Sequence, residues 1–506
     1  LRPAPRSPGD GPGRRAGVPG RVRALGPALL AAGAAALLLA GAAGPVPGEG
    51  PGNGPAADAR PAPAVQSPTA SRATSEAADT TYRPFVRPPR PVLEARRRRL
   101  LDSLGTGVAV VRAAHRVDLE ADYPQASDFR QDNDFLYYTG LETPDAWLVL
   151  VGRPGEADDR AVLFVPRRDT AQERWTGPRP GPEEAARISG IEAVRPAGAF
   201  ERGVRDGSLG RLAREGPLWV PLGGDGLDDP LLRALVENAA GPVRDLAPLQ
   251  ARIRLVKDEH GLRMLRRAIG ITDRAIASAM AAARPGIWEH ELEAVVEYGF
   301  RSRGAERVGF PGIVGSGPNS VILHYDRNRR RTGAGELVVM DVGAEYSYYT
   351  ADVTRTFPVS GTFTDRQRQL YELVLGAQEA AIRAVRPGND ITDVDRAARR
   401  HLRRHSDGLC GERSCDAYFS HGVAHWLGMD VHDVGPYGAT FRPGMVLTVE
   451  PGVYLPGEGL GIRIEDDVLV TEEGREVLSS APKSVEAVEA AVQGSWRAGP
   501  VERGGS

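Results

Sequence analysis

The chain has few cysteines, few lysines and little net charge. Cys410 and Cys415 are its only cysteines, and without a second pair they cannot complete a cysteine metal site. Lys257 and Lys483 are the only lysines among 64 basic residues. The arginine excess is spread over the whole chain together with Ala, Gly and Pro, so it reads as compositional bias and belongs to no patch. A formal net charge of -2 gives no reason to expect nucleic acid or an anionic membrane as partner. Long apolar runs are missing too, apart from Ala24–Gly44, which follows Arg14, Arg15, Arg21 and Arg23. With small residues at Ala40, Gly41, Ala42 and Ala43, this has the layout of a secretory signal. It is also long enough for a membrane anchor, although its Ala and Gly make it weakly hydrophobic for that task. The expectation is an exported protein, periplasmic or secreted; a spurious leader would instead leave it cytoplasmic. In an exported protein Cys410 and Cys415 close a small disulfide loop, whereas in the cytosol they stay reduced, and spacing alone does not decide.

What remains divides into five parts: the leader at 1–44, a Pro/Ala-rich linker at 45–91, two folded domains at 92–249 and 250–492, and a tail at 493–506. The linker has almost no large apolar residues and cannot offset its ordering entropy. In the first domain, Leu93–Leu104 has helical spacing around Arg96–Arg99, an arginine run expected on a solvated face. Strands are expected at 107–111, 146–151, 161–165 and 218–220, and helices at 182–188 and 230–239, an alternation that indicates an α/β domain. The second domain opens with a long helix from Asp258 to about Ala283. It continues as strands interrupted by helices at 365–385 and 391–404, so the fold class is α/β (α+β).

The second domain carries the chemistry. Asp341 interrupts the apolar run Leu337–Ala344, and Asp352 follows after a Tyr-rich turn, so two joined strands would let these carboxylates face each other. A carboxylate in so apolar a run costs several kcal/mol unless it is paired, hydrogen-bonded or on a metal. His421, His425 and His432 lie close together among glycines and apolar residues, a cluster hard to place without a polar site. Glu450 ends an apolar strand, and Glu465 follows the alternating pair Ile462 and Ile464. His324 stands in Val321–Tyr325, read as an apolar strand with one polar insertion. Four carboxylates and one imidazole, Asp341, Asp352, His425, Glu450 and Glu465, form a hard anionic cage suited to paired divalent ions. That reading makes the protein a hydrolase.

The order and local wording of these motifs resemble the pita-bread metallopeptidases, most closely the aminopeptidase P (Xaa-Pro aminopeptidase) family. The resemblance is carried by MDVGAEY at 340–346, ADVTRTFPVSGTFT at 351–364, HGVAHWLGMDVHDVG at 421–435, PGMVLTVEPGVY at 443–454 and GIRIEDDVLVT at 461–471. DFLYYTG at 134–140 and ERWTG at 173–177 are similar to the family's creatinase-type N-terminal domain. The resemblance implies a pita-bread catalytic domain behind that α/β domain, with Asp341 chelating one metal and Asp352 and Glu465 bridging both. His425 and Glu450 complete the shell of the other. It implies two divalent ions, manganese by family habit with cobalt or zinc as possible occupants. It further implies metal-assisted attack of water on the carbonyl before proline, with Glu450 shuttling a proton. His324, His421 and His432 would bond substrate, Tyr454 and Arg463 would line the proline side, and the partner would be a peptide beginning Xaa-Pro.

Other members of the fold give the alternatives. Prolidase, which cleaves Xaa-Pro dipeptides only, shares the metal motifs, and the first domain and the wording at Thr354–Pro358 decide against it. Methionine aminopeptidase lacks such a first domain, and creatinase uses the fold without metals. A non-catalytic binding module would have lost ligands. The family also implies a homo-oligomer, dimer or tetramer, in which Asp134 or Trp175 of a neighbour helps to close the cleft. Arg327, Arg329, Arg330 and Arg331 form either a solvated loop or a contact for acidic peptide tails.

Overall fold

The computed structural model describes residues 85–116, 129–153, 161–223 and 226–496. The leader, nearly all of the linker and most of the tail expected from sequence lie outside these residues. Among the described residues no helix is long and apolar enough to cross a membrane.

The first domain is built on a six-stranded mixed sheet, ordered β4-β3-β2-β1-β5-β6. Its strands are β1 Val108–Arg112, β2 Trp147–Val151, β3 Ala161–Val165, β4 Ala193–Pro196, β5 Leu218–Val220 and β6 Val243–Asp245. β1, β2 and β3 pair antiparallel, whereas β3–β4, β1–β5 and β5–β6 are parallel. The central strands are almost wholly buried, as expected for short Val/Leu runs covered by helices on both faces. The helix Arg90–Leu104 begins at the edge of the expected linker. Ahead of it, Phe85 packs edge-on against Tyr348 with ring centroids 5.3 Å apart, so the ordered chain starts before the expected boundary.

The arginine run in that helix departs from expectation. Successive helical residues point about 100° apart, so four consecutive arginines cannot share one face. Arg98 and Arg99 are exposed while Arg96 and Arg97 are buried. Arg97 donates to the carbonyl of Tyr138 at 2.8 Å and Arg96 to that of Tyr137 at 3.1 Å. Both carbonyls belong to the last turn of the helix Asn133–Thr139, where unsatisfied carbonyls and the helix dipole favour cations. Arg96 also grips Asp258 through Nε at 2.7 Å. Asp258 is the N-cap of the helix Glu259–Ala282 and accepts the Gly261 amide, so one carboxylate starts the second domain's long helix and ties it to the first domain.

The expected boundary at 249/250 falls inside the helix Ala247–Leu255. One apolar core runs across it: Leu100, Phe135 and Leu148 cluster with Leu265, Tyr349 and Leu427. The second domain contains β7 Arg307–Val308, β8 Ile313–Ser316, β9 Leu337–Val342, β10 Ala344–Tyr346, β11 Tyr349–Thr350 and β12 Val353–Pro358. After the helices Asp365–Ala384 and Ile391–Arg404 come β13 Val446–Val449, β14 Gly452–Leu455, β15 Leu460–Arg463, β16 Asp466–Thr471 and β17 Gly474–Val477. β9 sits between β8 and β12, and β16 between β13 and β17, while β14 and β15 form a hairpin. Cys410 and Cys415 are joined in a disulfide with Cα atoms 5.2 Å apart.

Candidate metal centre and active-site cleft

β9 reads LVVMDV and is buried along its length, so the backbone alone commits Asp341 to the interior. In the β9–β12 register Thr354 faces Asp341 and Val353 faces Val342. Asp352, one residue before β12, is therefore the diagonal neighbour of Asp341 on the same face, which brings the two carboxylates together. Glu450 follows β13, and its amide bonds the carbonyl of Val423, while the carbonyl of His425 accepts from Thr448. These two bonds hold the histidine segment alongside the glutamate strand. Glu465 lies in the two-residue step between β15 and β16 and not within a strand; leaving the ladder there lets its side chain turn in.

The five residues converge. His425 Nε2 lies 3.2 Å from Asp352 Oδ2 and 3.6 Å from Glu450 Oε1. Asp352, His425 and Glu465 each offer a ligand atom within 4.8 Å of the others. Burial, with Asp341, Asp467 and Glu450 as anionic neighbours, pushes Asp352 well above the usual carboxylate range. Burial, together with Asp352, Glu450 and Asp341, does the same to Glu465. Glu450 is pushed up to about 7 by burial and Asp341, against the pull of His425 and Arg463. Buried oxygens Oδ1 of Asp341 and Oδ1 of Asp352 have no hydrogen-bond donor. Anionic crowding with unserved acceptor atoms is unfavourable without a cation, so the donor set fits divalent metal ions.

These residues open into a cavity of about 570 Å³. His324, His421, His432 and Arg463 line it, as do Phe310 and Tyr437, which the motifs did not single out. His432 packs edge-on against His425, with centroids 4.4 Å apart. His421 donates or accepts at 2.8 Å with the Tyr454 hydroxyl, and burial and Arg463 hold its imidazole down at about 4, so it is neutral at pH 7. Tyr454 stands behind this wall and does not line the cavity; its hydroxyl also accepts from Arg463 Nη1 at 3.1 Å. Arg463 Nη2 donates to Asp341 Oδ2 at 2.6 Å. His324 is not on a strand. Gly317–Val321 is a 3-10 helix, and the following turn leaves Ile322 49% exposed and His324 at the mouth of the cavity. An exposed turn has no reason to alternate, so the apolar pattern there misled.

Two supporting networks were missed. Asp433, next to His432, is clamped between Arg254 at 2.6 Å and Lys257 at 3.1 Å, and its amide returns to the carbonyl of Trp426. Arg254 also reaches Asp134 at 2.9 Å, so Asp134 is engaged within its own chain. Beneath β12, Arg355 pairs with Asp466 at 2.7 Å, both fully buried, and Lys483 also reaches Asp466. Both lysines of this arginine-rich chain thus serve buried aspartates at the site's base, and their rarity was the available signal. Of the basic cluster at 327–331, Arg330 is paired with Glu336 and Arg331 packs over Trp288. Trp175 is 82% exposed.

Comparison with known proteins places this geometry. Residues 263–472 match Metallopeptidase family M24, and residues 93–208 match the Aminopeptidase P, N-terminal domain family. The chain is 36% identical to the Xaa-Pro aminopeptidase of Escherichia coli over 78% of its own length and 96% of the relative's. It is 33% identical to human Xaa-Pro aminopeptidase 3, over 71% and 76% respectively. Among solved structures, zinc-substituted E. coli aminopeptidase P in complex with product superposes with a TM-score of 0.73 at 34% identity, covering 80% of this chain and 99% of the other. Proline aminopeptidase P II from Yersinia pestis gives the same values.

Proposed function

Because this chain belongs to metallopeptidase family M24, with the Xaa-Pro aminopeptidases as its relatives, we propose that it releases the N-terminal residue from peptides with proline in the second position. The observation that carries the reading is the buried cage of Asp341, Asp352, His425, Glu450 and Glu465 at the floor of an open cleft. We assign all five as ligands of two divalent ions, with manganese as the occupant that suits a carboxylate-rich shell. When bound, such ions polarise a carbonyl and lower the pKa of water.

The protein's own groups supply the rest. Glu450, whose Oε1 lies 3.6 Å from His425 Nε2 in the cage, is the carboxylate we assign to pass a proton towards the leaving proline nitrogen. Neutral His421 is fixed by Tyr454, which is held in turn by Arg463. This chain gives the proline side of the cleft a wall that does not swing. His324 and His432 line the same cavity, and we assign them to bond peptide carbonyls. Trp175, exposed on the first domain, is assigned to contact with a neighbouring copy in an oligomer. The apolar leader supports export, with the Cys410–Cys415 disulfide as the matching adaptation.

Cleavage of Ala-Pro-Ala-Ala and of Ala-Pro by the manganese-loaded protein tests the substrate assignment. The expected result is release of Ala from the longer peptide, lost in Asp352→Asn. Hydrolysis of the dipeptide alone would make the protein a prolidase.

A further inference from the structure

Thr354 sits on β12 directly opposite Asp341 and is fully buried. Its hydroxyl lies between two charged groups. Arg463 Nε is 3.1 Å from Oγ1, and Oγ1 is 2.7 Å from Glu465 Oε2. A guanidinium can only donate, so it occupies a lone pair of the hydroxyl. The single hydroxyl hydrogen is then directed at the carboxylate, and the direction of both bonds is fixed. The backbone repeats the connection, since the Glu465 amide donates to the Thr354 carbonyl at 3.1 Å. Glu465 lies between β15 and β16, so apart from these bonds to β12 no ladder pairing orients it. The same guanidinium holds Asp341 through Nη2, so one cation orients a cage carboxylate directly and a second one through Thr354.

We infer that Thr354 is the positioning residue of the metal centre, a hydroxyl hub that fixes the Glu465 carboxylate for metal and joins it to Arg463. The inference rests on the metal-binding reading above. Groups that orient ligands in this way are typically worth roughly 10- to 100-fold in metal affinity. Thr356 provides an internal control. It is the next residue of β12 on the same face and equally buried, but its hydroxyl bonds only the backbone of Arg463, at 2.9 and 3.1 Å.

The test is titration of metal-free protein with Mn2+ by calorimetry, for the wild type and for Thr354→Val, Thr354→Ser and Thr356→Val. The expected result is roughly 10- to 100-fold weaker binding in Thr354→Val, recovery in Thr354→Ser, and wild-type affinity in Thr356→Val even if its Tm falls. If Thr354→Val does not fold, Thr354→Ala against Thr354→Ser gives the same comparison. Unchanged affinity in Thr354→Val, or equal loss in Thr356→Val, overturns the assignment while leaving the functional reading intact. Wild-type protein that binds no Mn2+ overturns both.

Discussion

Replacing Glu450 by Gln should stabilise the metal-free protein, by an amount that grows with pH. Glu450 titrates at about 7 in the folded protein against 4.5 for an ordinary glutamate. A carboxyl whose folded pKa is raised contributes stability that is complete below the unfolded value and is lost as pH rises through the folded one. Each pH unit between the two values is about 1.4 kcal/mol, which sets an upper limit of about 3.5 kcal/mol. The side chain retains 17% exposure, so solvent in the cleft screens part of this, and about 2 kcal/mol is expected between pH 5 and pH 8. His421 titrates in the opposite sense over part of the same range, so the wild-type profile alone would be ambiguous. The difference between wild type and Glu450→Gln reads this carboxyl together with the relief it gives Asp352 and Glu465, which its charge also pushes up. Urea unfolding in EDTA at several pH values reads it: Glu450→Gln should gain on wild type as pH rises, and saturating Mn2+ should reverse the order. A difference that stays constant from pH 5 to pH 8 would mean that burial does not raise the Glu450 carboxyl.

Other outcomes follow from the supporting structure. Asp433→Asn leaves Arg254 and Lys257 buried without their shared anion, and should cost roughly 3–5 kcal/mol, measured as a shift of the urea midpoint at pH 7. In Gly428→Ala the new Cβ would lie 2.0 Å from Asp433 Oδ2, so the loop carrying His425 and His432 must move; kcat on Ala-Pro-Ala-Ala should fall roughly 100-fold. Reduction of Cys410–Cys415 removes a short-loop constraint worth about 2 kcal/mol, visible as a lower Tm in reducing buffer.

The convergence of Asp341, Asp352, His425, Glu450 and Glu465 on one cavity was legible because these residues break strong local patterns. Asp341 is an acid inside a fully apolar strand, and three of the nine histidines cluster in one segment. Their convergence depends on strand pairing, and the motif order implied it. The supporting shell was much less legible. Thr354 looks like any β-branched strand residue until its neighbours are known. Arg96 and Arg97 looked solvated because sequence does not show that the last turn of the helix Asn133–Thr139 lies beneath them. His324 was placed on a strand because apolar neighbours mimic alternation, whereas the chain there turns at the cleft mouth. Arg254, which holds Asp134 and Asp433, stands in no motif and was not singled out.

The cage is assigned two divalent ions, and their binding is what would make the protein an Xaa-Pro aminopeptidase. The direct measurement is a titration of metal-free protein with Mn2+, following bound metal and Ala release from Ala-Pro-Ala-Ala in the same samples. Two ions per chain are expected, with activity rising as they bind and absent in Asp352→Asn. Full activity in the metal-free protein, or two bound ions with no cleavage, would contradict that assignment.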